Sequence, residues 1–363
     1  MKAFSILTAL TCALSFSTTA FAAKSFSASN LYYAAGLTDN QQTVLLDGLK
    51  SAGVKVLRVW LDGQSGTIKG TPINKVPSLQ GDSPSAWDDT VLNRLDNFMV
   101  KANTYGIKLL ISIHSYNALK GSSDFYGKYY GTGDFYTNAN AISQFKDRIA
   151  RVLAHVNPTN GKTWGQSSEY IFAFEAQNEA MHPNGNPSAL ASWQCTMAKA
   201  IKDNMQNNPN ILVTTGGGSY LATSAQDAYF SCSSLDVIAI HAYGVGDFAT
   251  SALQPYVTKA KNAGKKLIMQ EWGACYTNAA NNNCNGGSAI ASGTRDSNVR
   301  SWAAQIDAAG IPWFYWQILP NADLHQDWDY EVGINDVNWA ALKVAGLAAG
   351  QAESAFDFSK WLL

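Results

Sequence analysis

A chain of 363 residues with 46 % hydrophobic and 15 % charged side chains can bury a sizeable core, as one large domain or two small ones. A formal net charge of −1, with no basic block, excludes nucleic acid or an anionic membrane as the expected partner. Aromatic side chains make up 12 % of the chain, more than an unremarkable core demands.

The first segment, MKAFSILTALTCALSFSTTAFAAKS, reads as a leader: Lys2, an apolar run diluted by Ser and Thr, and the small-x-small pattern Ala20-Phe21-Ala22. Residues 1–22 are expected to be removed as a signal peptide, leaving residues 23–363 as a single extracellular domain. An uncleaved anchor is the weaker reading, because the run is short and rich in hydroxyls. Cleavage takes Cys12 with it and leaves Cys195, Cys232, Cys275 and Cys284, an even set that in a secreted chain favours two disulfides. Three pairings remain open. Cys275 with Cys284 would close the short polar loop YTNAANNNCNGG, and Cys195 with Cys232 would follow. No Cys-x-x-Cys pair or adjacent His supports zinc instead.

In chain order the strand candidates are NLYYAAG near Asn30, VKVLRVW from Val54, IKLLISIH from Ile107, YIFAFEAQNE from Tyr170, ILVTTGG from Ile211, DVIAIHAY from Asp236, KKLIMQEWG from Lys265 and PWFYWQI from Pro312. Between them lie amphipathic helix candidates such as DNQQTVLLDGLKSAG and DDTVLNRLDNFMVKANTYG, several ending in a glycine (Gly53, Gly106, Gly264, Gly310) just before the next strand. Long segments follow several strands, so elaboration sits at one end of the sheet. Eight strand-helix units match an α/β fold of the (β/α)8 TIM barrel type, as a single domain. A doubly wound open sheet is disfavoured, because AAGLTD after the first strand is not a phosphate loop.

In such a barrel the polar residues at strand C-termini carry the chemistry. The second strand ends with Arg58, the third with His114, the fourth with Asn178 and Glu179, the sixth with His241 and Tyr243, the seventh with Glu271 and Trp272, and the eighth with Trp316. Glu179 and Glu271 can flank one glycosidic bond, one protonating the leaving oxygen while the other attacks the anomeric carbon. Their protonation states must then differ. Arg58 and the Tyr243 hydroxyl are expected to keep Glu271 ionised, which leaves Glu179 as the acid. Asn178 is expected to donate to a sugar 2-hydroxyl. Glu175, read as lying on the same strand as Glu179, is expected to form a buried pair with Arg58.

Arg after strand two, His after strand three, Asn-Glu after strand four, His-x-Tyr after strand six, Glu after strand seven and Trp after strand eight together resemble the signature of glycoside hydrolase family 5, across about Asn30 to Gln351. The resemblance implies a retaining enzyme with Glu179 as acid/base and Glu271 as nucleophile. Arg58, His114, Asn178, His241, Tyr243 and Trp316 would line the site. One position departs: family members usually carry proline after Asn-Glu, and Ala180 stands here, which puts local loop geometry in question. The strand "RVW" resembles endo-β-1,4-mannanases of the family, whereas SIHSYN and EAQNEAM fit that pattern poorly.

The resulting expectation is a secreted, monomeric hydrolase of a β-1,4-linked plant polysaccharide, with mannan or glucomannan ahead of glucan. No cofactor or metal is expected: no two His stand at a ligand spacing such as H-x-x-x-H. Trp87, Tyr116, Tyr126, Trp272 and Trp328 are candidate sugar-stacking residues. A cellulase or other β-glucanase is the nearest alternative, and an inactive carbohydrate-binding scaffold the alternative of another class.

Overall fold

The computed structural model describes residues 23–182 and 186–363, so the expected leader lies outside the described residues. Within them, runs rich in Val, Ile, Leu and Phe form eight short strands: β1 (Ser27–Asn30), β2 (Val56–Trp60), β3 (Lys108–Ser112), β4 (Ile171–Glu175), β5 (Leu212–Thr214), β6 (Val237–His241), β7 (Lys266–Trp272) and β8 (Trp313–Tyr315). Their residues are buried almost without exception on both faces, because one face fills the barrel and the other meets helices. All are parallel, and they close in the order β1-β8-β7-β6-β5-β4-β3-β2.

The outer layer consists of α1 (Asp39–Ser51), α2 (Thr90–Thr104), α3 (Ala139–Ala154), α4 (Pro187–Asn204), the short α5 (Asp227–Ser231), α6 (Thr250–Asn262), α7 (Ser292–Ala308) and α8 (Trp339–Ala349). Local sequence fixes several starts. Thr38 and Gln41 form a reciprocal capping box on α1, and Asn186 caps α4 ahead of Pro187. Gly53, Gly106, Gly264 and Gly310 all take positive φ where a helix turns into the next strand.

The strand register sets the site. Toward their C-terminal ends Asn30 pairs with Arg58, Ser112 with Glu175 and His241 with Glu271, so polar side chains from neighbouring strands meet at one mouth of the barrel. The first strand differs from expectation. It ends at Asn30, and Tyr32 and Tyr33 fall in a turn leading to a short 3-10 helix at Ala34–Gly36. A short apolar run does not distinguish strand from buried turn, and the shift hands Tyr32 to the barrel mouth.

Disulfides join Cys195 to Cys232 and Cys275 to Cys284, the favoured pairing. The first ties α4 to the end of α5, and the second closes the loop after β7. No helix among the described residues is long and apolar enough to cross a membrane.

Candidate active site

Arg58 is fully buried in the middle of β2, which runs two residues beyond the strand end expected at Arg58, and its five N–H donors are all used. Nε bonds Glu175 at 3.1 and 3.2 Å, and Nη2 bonds Glu175 Oε1 and Asn178 Oδ1, each at 2.6 Å. Nη1 bonds Asn30 Oδ1 at 3.1 Å and Glu271 Oε1 at 2.6 Å. One guanidinium therefore fixes residues from β1, β4 and β7 together with Asn178. A charge so placed is affordable only because two carboxylates and two amide oxygens replace water around it. The expected Arg58–Glu175 pair is present. The premise that Glu175 and Glu179 share a strand fails, because β4 stops at Glu175.

The chain after β4 instead turns sharply. Glu179 sits at φ 48°, and its N–H donates to the Gly216 carbonyl at 2.9 Å. Glycine is required opposite: a Cβ on Gly216 would lie 1.8 Å from the Gln177 oxygen, and one on Gly217 would lie 2.2 Å from the His241 ring. The run Gly216-Gly217-Gly218 after β5 thus lets the Glu179 backbone and His241 approach each other. Its three consecutive glycines were the available signal for this role, which periodicity alone does not reveal.

Glu179 and Glu271 converge as the strand-end reading expects. Together with Nδ1 of His241, each offers an oxygen within 4.8 Å of the others. His241 Nδ1 lies 3.1 Å from Glu179 Oε1 and 3.4 Å from Glu271 Oε2. Gln270 presents its NH2 to Glu175 at 2.7 Å, so its oxygen accepts from His241 Nε2–H at 2.8 Å. The imidazole proton on Nε2 is thereby committed, and Nδ1 faces both carboxylates.

Glu271 receives Arg58 and the Tyr243 phenol, the latter at 2.9 Å, the two contacts expected to keep it ionised. Burial nevertheless pushes its pKa above the ordinary glutamate value, with the charges of His241 and Arg58 and the Tyr243 hydrogen bond opposing. Burial would lower His241, yet the two carboxylates raise it. Arg58 holds Oε1 of Glu271, and Oε2, shared between the Tyr243 hydroxyl and the His241 side, faces Glu179.

A cleft of about 770 Å³ opens over this centre, lined by Glu179, Glu271, Tyr243 and Trp316 among others. Tyr32, Trp60 and Trp316 form a continuous aromatic surface in it: Tyr32 and Trp316 are parallel within 3° at 5.9 Å, and Trp60 lies 5.1 Å from Tyr32. Tyr32 and Trp60 were not among the candidate stacking residues. Neither were Tyr220, exposed at the cleft, nor Asp62 and Glu331, whose carboxyls burial pushes up.

Other expectations need correction. His114 does not line the cleft; it is fully buried, with Nε2 2.7 Å from Asp124 and Nδ1 accepting from Gln177 at 2.8 Å. Of the five candidate stacking aromatics only Trp328 lines the cleft. Trp272 and Tyr126 are buried, Tyr116 packs on the core, and Trp87 lies under Arg151. Asn178, 2 % exposed, gives its oxygen to Arg58, which turns its NH2 away from the guanidinium.

A (β/α)8 barrel with two carboxylates facing each other across its C-terminal mouth defines a class of enzyme that cleaves glycosidic bonds. Residues 16–322 match the family model described as cellulase (glycosyl hydrolase family 5), and the chain belongs to that family of glycoside hydrolases. It is 28 % identical over 271 residues to the probable mannan endo-1,4-beta-mannosidase A of Aspergillus niger, covering 68 % of each chain. It is 26 % identical to the mannan endo-1,4-beta-mannosidase A of Aspergillus aculeatus over 70 % of this chain and 71 % of that one. In fold it resembles the endo-1,4-beta-mannanase of Rhizomucor miehei, with a TM-score of 0.68 and 21 % identity over 90 % of this chain and 95 % of that one.

Proposed function

We propose that the protein is a secreted endo-β-1,4-mannanase that hydrolyses with retention of anomeric configuration. The observation that carries this reading is the pair Glu179 and Glu271, whose facing oxygens lie no more than 4.8 Å apart, too near for the intervening water that the ~6.5–9.5 Å spacing of inverting enzymes accommodates. The mannanase names of the relatives support the choice of sugar. The small-x-small leader and the two disulfides support secretion. One barrel supplies every group of the site, so a monomer suffices.

In the first step a carboxylate oxygen of Glu271 attacks the anomeric carbon while the bond to the leaving oxygen breaks and Glu179 gives that oxygen its proton. The ester so formed links the sugar to Glu271. In the second step Glu179, now a carboxylate, takes a proton from water; the water oxygen attacks the same carbon and Glu271 departs. Arg58 and Tyr243 position Glu271, and His241 bridges the two carboxylates. Asn178 is assigned to the sugar 2-hydroxyl, and Trp316 with Tyr32 and Trp60 to the sugar faces. His114 acts only through Gln177 and Asp124.

The test is product release by the purified protein from β-mannan, glucomannan, cellulose and mixed-linkage β-glucan, with Glu271→Ala alongside. Cleavage of mannan that vanishes in the variant and returns with azide, as a glycosyl azide, is expected. Preference for cellulose would overturn the substrate, and binding without cleavage the activity.

A further inference from the structure

The loop after β8 carries a second cluster that this chemistry does not use. Asp323, His325 and Asp329 each bring one ligand-type atom to within 4.8 Å of the others. The Asp323 side chain is fully covered, and neither of its carboxylate oxygens has a hydrogen-bond partner among the described residues; Oδ1 of Asp329, 2 % exposed, lacks one too. Covered carboxylate oxygens without donors are costly unless a cation meets them or a proton neutralises them, and a metal ion competes with that proton.

The surrounding charges do not supply that cation. Four carboxyl groups, those of Asp323, Asp329, Glu331 and Asp336, share two cationic side chains, Lys69 and Arg295. Lys69 is drawn to Glu331 at 3.4 Å and to the Gln326 carbonyl at 2.6 Å. Arg295 gives Nε and Nη2 to the carbonyls of Ala274 and Glu331, has no hydrogen-bond partner at Nη1 among the described residues, and comes no closer than 4.0 Å to Asp329. Asp336 accepts backbone N–H groups from Asp323 and Gly333.

The spacing also fits a metal. Tetrahedral ligands at about 2.0–2.1 Å from an ion lie roughly 3.3 Å from one another. His325 Nδ1 is 2.9 Å from Asp329 Oδ2 and 3.4 Å from Asp323 Oδ2. We propose that Asp323, His325 and Asp329 form a binding site for a divalent transition cation of the zinc or manganese class. Imidazole with two carboxylates suits those ions better than calcium, which takes six to eight oxygens. The His325 side chain is 30 % exposed, which leaves a way in and room for a completing water.

The consequence of occupancy is mechanical. The His325 ring lies flat on Tyr276, at 3.4 Å between centroids, next to the Cys275–Cys284 bridge. Asp327, Trp328, Tyr330 and Glu331 of the same segment line the cleft. A bound ion fastens the loop after β8 against the loop after β7 and so stiffens one cleft wall.

The protein, stripped with EDTA and dialysed, is titrated calorimetrically with zinc, manganese and calcium chlorides, with thermal unfolding followed in parallel. One equivalent of zinc or manganese is expected to bind and raise Tm by several degrees. Both effects should vanish in Asp323→Asn/Asp329→Asn and persist in Glu179→Gln. Absence of saturable binding, binding that survives the double variant or is lost in Glu179→Gln, or a preference for calcium would each overturn the assignment. Should the double variant not fold, His325→Ala, at the exposed edge, is expected to weaken binding at least about tenfold; unchanged affinity would overturn it equally.

Discussion

Oε2 of Glu271 receives the Tyr243 phenol at 2.9 Å, and burial keeps that phenol protonated by pushing its pKa well above the tyrosine value. The bond favours ionised Glu271 against the burial that favours the acid. Tyr243→Phe is therefore expected to move the acidic limb of the kcat/KM profile to higher pH. It should also lower kcat/KM by roughly ten- to a hundredfold, since a hydrogen bond to a charged group is worth about 1.5–3 kcal/mol. An unmoved limb would remove Tyr243 from control of Glu271.

Ala180 is the residue where the chain departs from its family's habit. That departure is legible in the sequence, but its physical setting is not, because the Glu179 backbone is held by Gly216 from another strand end. With Glu179 at φ 48°, a following proline would add its steric restriction to a residue already in the left-handed region. Ala180→Pro is expected to cost about 1–3 kcal/mol and to lower kcat with it. Unchanged Tm and kcat would mean the turn can rebuild itself. His114 shows the opposite limit: its residue type and strand-end position are readable, but only folding reveals Asp124 and Gln177 closing off both its nitrogens.

Between elements, Asp307 of α7 accepts the indole N–H of Trp313 on β8 at 3.0 Å, and burial pushes its carboxyl up to about 7. An unfolded aspartate titrates near ~3.9, so between about pH 4 and 7 the native state binds more protons. The stability this group contributes is full below the lower value and is lost as pH rises through the upper one. Asp307→Asn keeps an oxygen for the indole and has no proton to lose. The variant is expected to match the parent near pH 4 and to exceed its Tm at pH 8; a difference independent of pH would contradict this.

Element order was legible because alternating apolar runs and amphipathic segments persist, with glycine closing several helices. The boundary of β1 was not, since Leu31 to Ala35 is apolar in either conformation. The aromatic lining followed the same rule: Trp272 and Tyr126 read like cleft residues but fill the core, while Tyr32 reaches the cleft through the misplaced strand end.

Across the whole molecule, the barrel register gathers Asn30, Arg58, Glu175, His241 and Glu271 from strands distant in sequence into one hydrogen-bonded set with Glu179. The carboxylate positions were foreseeable from strand ends, whereas their separation is a property of barrel closure. That separation carries the central claim, and the anomeric configuration of the first-formed product tests it most directly. Proton NMR of a manno-oligosaccharide digest, recorded before mutarotation, is predicted to show the β-anomer appearing first. An α-anomer appearing first would mean inversion and would contradict the assignment of Glu271 as nucleophile.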